Sequence, residues 1–96
     1  MSIVLVGGHD RMHREYKVIA DKHGHKLKVF TQITSRFHKS IGTPDAIVLF
    51  TNTVSHKMVH IATREAKRKK IPVLRSHTSS GNSLEKTIKE LEQSVC

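Results

Sequence analysis

Four apolar segments of strand length, separated by segments with helical spacing, constrain the fold of this chain more than any other feature. The first covers residues 2–7, the second residues 25–30, the third residues 46–50, and the fourth follows Pro72. Strands that alternate with helices in this way are typical of a parallel sheet with helices on both faces and right-handed crossovers. The sequence therefore predicts a three-layer α/β fold, Rossmann-like or flavodoxin-like, with a four-stranded parallel sheet.

Capping residues indicate where the longer helices begin and end. Asp10 is expected to cap a first helix that stops at Gly24, and a third helix is expected to begin near Ser55. Asn82 stands three residues before Glu85, which is the spacing of a capping box at the start of the last helix.

Apolar residues at helical spacing identify the helix faces that should pack on the sheet. A short second helix, capped by Thr34 or Ser35, is expected to continue through Ile41. The apolar faces of the three longer helices are predicted to be Met12, Tyr16, Ile19 and Ala20, then Met58, Val59, Ala62 and Ala66, and finally Leu84, Ile88 and Leu91.

The chain length and the hydrophobic pattern bound the domain count and the location. Ninety-six residues suffice for one modest core, so a single α/β domain over residues 1–96 is expected. No apolar run approaches the roughly 20 residues of a membrane span, and the first strand begins at once, without a basic leader. We therefore expect a cytoplasmic protein with no membrane insertion.

Cysteine usage excludes two further classes. The only cysteine is Cys96, the last residue of the sequence, so neither an internal disulfide nor a multi-cysteine metal site can form. Zinc-finger folds are excluded on this ground. Cys96 could be a reactive thiol or an intermolecular crosslink, although a terminal residue without a role is the simpler interpretation.

The charge is strongly positive: 17 Lys and Arg stand against 8 Asp and Glu, which gives a net charge of +9 with all histidines neutral. Such a balance favours anionic partners, including nonspecific contact with nucleic acid. The chain contains no Trp, one Tyr and three Phe. Since the stacking platform of single-strand binders requires exposed aromatic residues, only nonspecific nucleic-acid binding is expected.

Three of the apolar segments are followed by a histidine: His9 after the first, His56 after the third and His77 after the fourth. If the strands are parallel, all three histidines lie along one edge of the sheet. The carboxyl edge of an open α/β sheet is where such folds bind ligands. A shared site at this edge, with His9, His56 and His77 as candidate metal ligands, is therefore expected.

The Gly7-Gly8 turn and the stretch from Arg75 to Ser80 flank this candidate site. The turn could present free N–H groups to an anion, but it matches neither Gly-x-Gly-x-x-Gly nor a phosphate loop, and two glycines that allow a tight turn are the preferred explanation. Arg75 and the hydroxyls that follow could bind a carboxylate or a phosphate. The alternative for that stretch is a capped loop without a ligand.

His56 and His60 lie four residues apart on the third helix, a spacing that could hold one metal ion. His60, however, is expected to lie with Lys57 and Arg64 on the solvated face of this helix. We therefore expect His60 to be an ordinary surface residue, and His56 to be either a ligand or a residue that satisfies local backbone groups.

The sequence resembles the small bacterial family called domain of unknown function 2325. The resemblance rests on Val6-Gly7-Gly8-His9, on the stretch from Thr51 through Val54-Ser55 to His56, and on Ile71-Pro72-Val73 with Arg75-Ser76, and it covers nearly the whole chain. It implies a non-enzymatic redox, respiratory or haem-sensing regulator that binds haem b. Gly7, Gly8, His9, Ser55, His56 and Arg75 match the family pattern.

Haem suits these residue types, because its iron takes a histidine nitrogen and its propionates take arginine or a helix N-terminus. His77 is offered as the axial ligand on its position beside Arg75, with Gly7 and Gly8 among the cofactor-binding residues. A homodimer that sandwiches the cofactor is expected, because this small edge offers little apolar cover. The alternative function is a basic nucleic-acid-binding accessory domain, and the protein partner is not specified.

Overall fold

The four predicted strands form one parallel sheet in the computed structural model, which describes residues 1–32 and 36–94. The strands are β1 (Ser2–Val6), β2 (Lys26–Phe30), β3 (Ala46–Phe50) and β4 (Val73–Ser76), in the spatial order β2-β1-β3-β4. All five residues of β3 are buried, as expected for a central strand covered on both faces. The order is that of the first four strands of a flavodoxin-like sheet.

Within the described residues, four α-helices cover this sheet: α1 (His13–Lys22), α2 (Phe37–Ile41), α3 (His56–Lys69) and α4 (Gly81–Ser94). A 3₁₀ turn at Asp10–Met12 precedes α1. Helices α1 and α4 pack on one face of the sheet, and α2 and α3 pack on the other. The predicted α/β class, with a four-stranded parallel sheet between two helical layers, is therefore confirmed.

The predicted helix faces are the ones that pack on the sheet. Tyr16 and Ala20 are buried in the first layer, where Met12 and Ile19 are partly buried against the same core. In that layer the buried cluster is formed by Ile3, Leu5, Tyr16, Ala20, Ala46, Val48, Phe50, Leu84, Ile88 and Leu91. In the second layer it is formed by Val4, Val6, Phe37, Ile41, Ile47, Leu49, Met58, Ala62 and Ala66.

The two helix-start predictions that rested on Asp10 and Asn82 are wrong. Asp10 lies inside the 3₁₀ turn, and its carboxylate accepts hydrogen bonds from the Thr31 hydroxyl and from Gln32 Nε2, the latter at 3.3 Å. Helix α4 already begins at Gly81, so Asn82 lies within its first turn. Its capping group is Ser80, whose Oγ accepts the Ser83 N–H at 3.2 Å.

The start of α3 is as predicted, because Ser55 precedes the helix and its Oγ accepts the Met58 N–H at 3.3 Å. The expected caps Thr34 and Ser35, and the terminal Cys96, lie outside the described residues. No helix in the described part of the chain is both long and apolar enough to cross a membrane.

Helix α2 has only five residues and leaves part of the sheet uncovered. Beside it lies a groove of about 560 Å³, whose walls include Ser2, Val4, Lys26, Lys28, Ile41 and Pro44. These residues belong to the first three positions of β1 and β2, to the end of α2 and to the loop before β3, so the groove lies away from the carboxyl edge, where the candidate site was predicted.

Candidate functional site

The carboxyl edge of the sheet brings together the loops that follow β1, β3 and β4. Because these three strands are parallel and adjacent, His9, His56 and His77 all follow the same edge, as the sequence predicts. All three histidines are exposed. No group of three or more His, Cys, Asp or Glu side chains within residues 1–32 and 36–94 is placed to hold a metal ion. The three histidines therefore remain separate candidate ligands.

The Gly7-Gly8 turn is required by close packing. Gly7 has φ +105° and Gly8 has φ +90°, a region that L side chains rarely adopt. A Cβ on Gly7 would lie 3.0 Å from the Phe50 carbonyl oxygen, and a Cβ on Gly8 would lie 2.8 Å from Cε2 of Tyr16. Both glycines thus let the end of β1 pass directly against its neighbours.

The N–H groups of this turn are already engaged within the chain. Gly7 donates to the Phe30 carbonyl at 2.8 Å, Gly8 donates to Thr53 Oγ1 at 2.7 Å, and the His9 N–H lies 3.4 Å from the Tyr16 hydroxyl. A phosphate loop instead keeps such donors free for its ligand. This geometry favours the tight-turn interpretation over the anion-binding one.

A chain of hydroxyl hydrogen bonds connects the three loops. Thr53 Oγ1, which accepts the Gly8 N–H, lies 2.9 Å from Ser79 Oγ. Ser79 is 5% exposed and donates its hydrogen to Asn52 Oδ1 at 2.6 Å, while the Thr53 hydroxyl also lies within reach of the Phe50 carbonyl at 3.3 Å. The sequence pointed to polar loops here but not to these pairs, because their partners lie 26 and 27 residues apart in the chain.

Tyr16 joins this chain of hydrogen bonds to α1. Its fully buried ring packs edge-on against Phe50, with centroids 5.6 Å apart, and its hydroxyl donates to the Ser79 carbonyl at 2.5 Å. Burial raises the pKa of Tyr16, because the phenolate has lost its hydration. The phenol therefore stays neutral and serves as a structural donor.

His77 has a defined hydrogen-bond partner at this edge. Its Nδ1 lies 3.2 Å from Thr51 Oγ1, and the same hydroxyl donates to the Ser76 carbonyl at 3.2 Å. A hydroxyl has one hydrogen, so while Thr51 donates to Ser76 its oxygen can only accept from His77. In this arrangement the imidazole hydrogen is on Nδ1 and the lone pair is on Nε2 of an exposed ring, whereas a Thr51 hydroxyl that donated to Nδ1 would require the other tautomer.

Arg75 and His56 lie on the side of the sheet that α2 and α3 cover. Arg75 is exposed in β4 and is paired with Leu49, a member of the core beneath α2 and α3, so it lies on that face of the sheet. His56 is in the first turn of α3 and helps to line a shallow groove of about 530 Å³, the α3 groove, formed by His56, Lys57, His60, Ile61 and Arg64. The structure thus groups His56 with His60.

The family model DUF2325, described as an uncharacterized protein conserved in bacteria, matches residues 2–91. The chain belongs to this family. A de novo designed Rossmann fold protein is similar in structure, with a TM-score of 0.65, 21% identity, and coverage of 97% of this chain and 99% of that chain. That likeness shows the fold of the DUF2325 protein and nothing beyond it. No curated protein matches the sequence.

Proposed function

We propose that this DUF2325 protein is a small cytoplasmic haem-binding regulator, without catalytic turnover, in which His77 is the axial ligand. The observation that supports it is the hydrogen bond between Thr51 and His77, which leaves Nε2 as the ring nitrogen available to iron. Haem-ligating and metal-ligating histidines commonly have their other ring nitrogen fixed in this way by a neighbouring acceptor. Bound haem would supply reversible one-electron chemistry or binding of a small gas.

The groups around His77 suit the propionates better than the macrocycle. Arg75 stands two residues before His77, and the loop that follows carries the hydroxyls of Thr78, Ser80 and Ser83 next to the start of α4. These donors can bind carboxylates. The exposed residues of the loops at this edge, however, include His9 and Asn52, which are polar and would give a macrocycle little apolar cover.

A homodimer would shield the haem from water. Two copies related by a two-fold axis at the carboxyl edge would enclose one haem between them and would supply a second His77 as a ligand. We therefore propose one haem for each pair of chains. The hydroxyls of Thr53 and Ser79 donate to neutral acceptors and not to a base, which supports a binding role over nucleophilic catalysis.

The test is a titration of the purified protein with hemin, followed by the Soret band and by the stoichiometry at saturation. The parent is expected to bind one haem per two chains, and His77→Ala is expected to lose the shifted Soret band. Thr51→Val keeps the shape but removes the acceptor for Nδ1, and is expected to weaken binding by roughly tenfold.

His60→Ala is the matched control, because it removes an exposed histidine from the α3 groove. It should bind hemin like the parent. If the parent shows no Soret change, the haem proposal is wrong. If His77→Ala binds like the parent, the ligand is another residue, and His9→Ala and His56→Ala decide between the remaining two.

A further inference from the structure

The net charge of the protein resides on one side of the sheet. The 3₁₀ turn, α1 and α4 together carry six basic and six acidic residues, so this layer is neutral. The remaining eleven basic and two acidic residues account for the whole net charge of +9. The eleven basic residues are Lys26, Lys28, Arg36, Lys39, Lys57, Arg64, Lys67, Arg68, Lys69, Lys70 and Arg75.

The register of the sheet shows which face the strand cations occupy. Lys28 is paired with Val4, and Arg75 is paired with Leu49. Both partners belong to the core beneath α2 and α3. Lys28 and Arg75 therefore lie on the same side as the cations of α2 and α3, and this side is called the basic face below.

The single acidic residue of α2 and α3 does not interrupt this face. Glu65 is 5% exposed, and its carboxylate is bonded to Arg68 at 2.8 Å and lies 3.7 Å from Lys69 Nζ. The walls of the α3 groove include the cations Lys57 and Arg64 and do not include Glu65. Seven residues of helix separate these two, which is about 10 Å along the axis.

We propose that the basic face binds the phosphodiester backbone of duplex DNA, with Lys57 and Arg64 of the α3 groove as principal contacts. A duplex presents about one negative charge for every 1.7 Å of its axis, so two cations about 10 Å apart on a convex helix meet phosphates without a defined sequence. This proposal does not depend on haem binding, because neither Lys57 nor Arg64 is among the proposed haem-binding residues.

The placement of the aromatic and apolar residues favours a duplex over other anionic surfaces. Tyr16, Phe37 and Phe50 are buried, and Phe30 packs edge-on against Phe37, so none of these rings offers a platform for stacked bases of a single strand. A lipid surface calls for exposed apolar residues beside the cations. The large apolar residue most exposed among those described is Val18, at 56%, and it lies on α1 in the neutral layer.

The experiment is fluorescence anisotropy of the full chain with two unrelated labelled duplexes of about 20 base pairs, over a range of KCl concentrations. The site variant is Lys57→Gln with Arg64→Gln. The control variant is Lys22→Gln with Lys86→Gln, which removes two exposed cations from α1 and α4 and has the same net charge. All four positions are exposed, and circular dichroism confirms that both variants fold.

The parent should bind both duplexes equally, and the site variant should lose roughly tenfold to a hundredfold in affinity, with a salt slope shallower by about 2. The control variant should remain within about twofold of the parent. Equal losses in the two variants would mean that net charge alone attracts DNA, and would overturn the site. Preference for one duplex sequence, for single strands, or for anionic vesicles over duplex at the same salt would also overturn it.

Discussion

The two helical layers of this protein bury similar apolar surfaces but differ in almost everything that faces water. The layer of α1 and α4 has two helices of ten and fourteen residues, balanced charge, and the Tyr16 hydroxyl that joins the loops of the carboxyl edge. The layer of α2 and α3 pairs a helix of fourteen residues with one of five and carries the net charge. Apolar burial determines where a helix lies, whereas its outer surface is free to serve another purpose.

The largest expected effect is the loss of unfolding free energy when a buried isoleucine is truncated, and each layer offers one such residue. Ile88 on α4 and Ile41 on α2 are both buried, at 0% and 1% exposure. Ile88→Ala should cost about 3–4 kcal/mol, because its cavity lies between long, tightly packed elements. Ile41→Ala should cost about 2 kcal/mol, because the short α2 borders an open groove and can relax into the space.

Urea unfolding of both variants measures these costs. The slope of unfolding free energy against urea must stay near that of the parent for the comparison to hold. Equal costs, or a larger cost for Ile41→Ala, would show that the two layers are equally rigid and that the short helix does not loosen its side of the sheet.

The next largest effect is the loss of stability on replacing a glycine, which compares backbone strain alone at Gly24 with backbone strain plus close packing at Gly8. Gly8→Ala places a methyl group against the Tyr16 ring in a backbone with φ +90°, whereas Gly24→Ala, at φ +76°, meets no atom within 4 Å. Gly24→Ala should cost about 1 kcal/mol, and Gly8→Ala about 2–3 kcal/mol. Thermal unfolding of the two variants checks this, and similar losses would show that Tyr16 moves aside freely.

The smallest expected effect is the change in stability with pH that arises from Glu92 on α4. The layer of α1 and α4 is neutral only while its carboxylates are ionised. Hydrogen bonding to His25 holds the pKa of Glu92 below its usual value, with the charges of His23 and His25 acting in the same direction. His25 also lies 3.1 Å from the amino group of Met1, so this cluster ties the first strand to α4.

Because the pKa of Glu92 is lower in the folded state, its contribution to stability is present above the ordinary glutamate pKa of 4.5 and is lost as the pH falls through the folded pKa. Melting temperatures of the parent and Glu92→Gln should therefore differ most near neutral pH and converge under strong acid. Glu85→Gln, on the same helix, is the control and should show a smaller difference. A constant gap across the pH range would contradict this linkage.

The strands and the apolar helix faces could be predicted from the sequence, because burial on one face spaces apolar residues at the period of the strand or helix. The capping residues of α1 and α4 could not be predicted from the sequence, because several neighbouring residues can each accept a first-turn N–H. In α4 the residue that does so is Ser80, not Asn82. The pairs Thr53 with Ser79 and His77 with Thr51 join loops far apart in the chain, and no local pattern encodes them.

The partition of charge was equally hidden. The sequence gives the net charge of +9 but does not show which face of the sheet carries it. The face on which Lys28 and Arg75 lie is fixed only by the register of β2 against β1 and of β4 against β3. The haem ligand, the dimer and the duplex-binding surface stay predictions from residues whose positions are now known.

Placing all of the net charge on one side of a sheet gives the molecule a large electric dipole perpendicular to that sheet. Two copies that approach with their basic faces together repel each other, while approach through the neutral side or along the carboxyl edge meets far less resistance. A bound polyanion on the basic face cancels this repulsion. The same surface that attracts an anion therefore also determines how copies of this protein can orient toward one another.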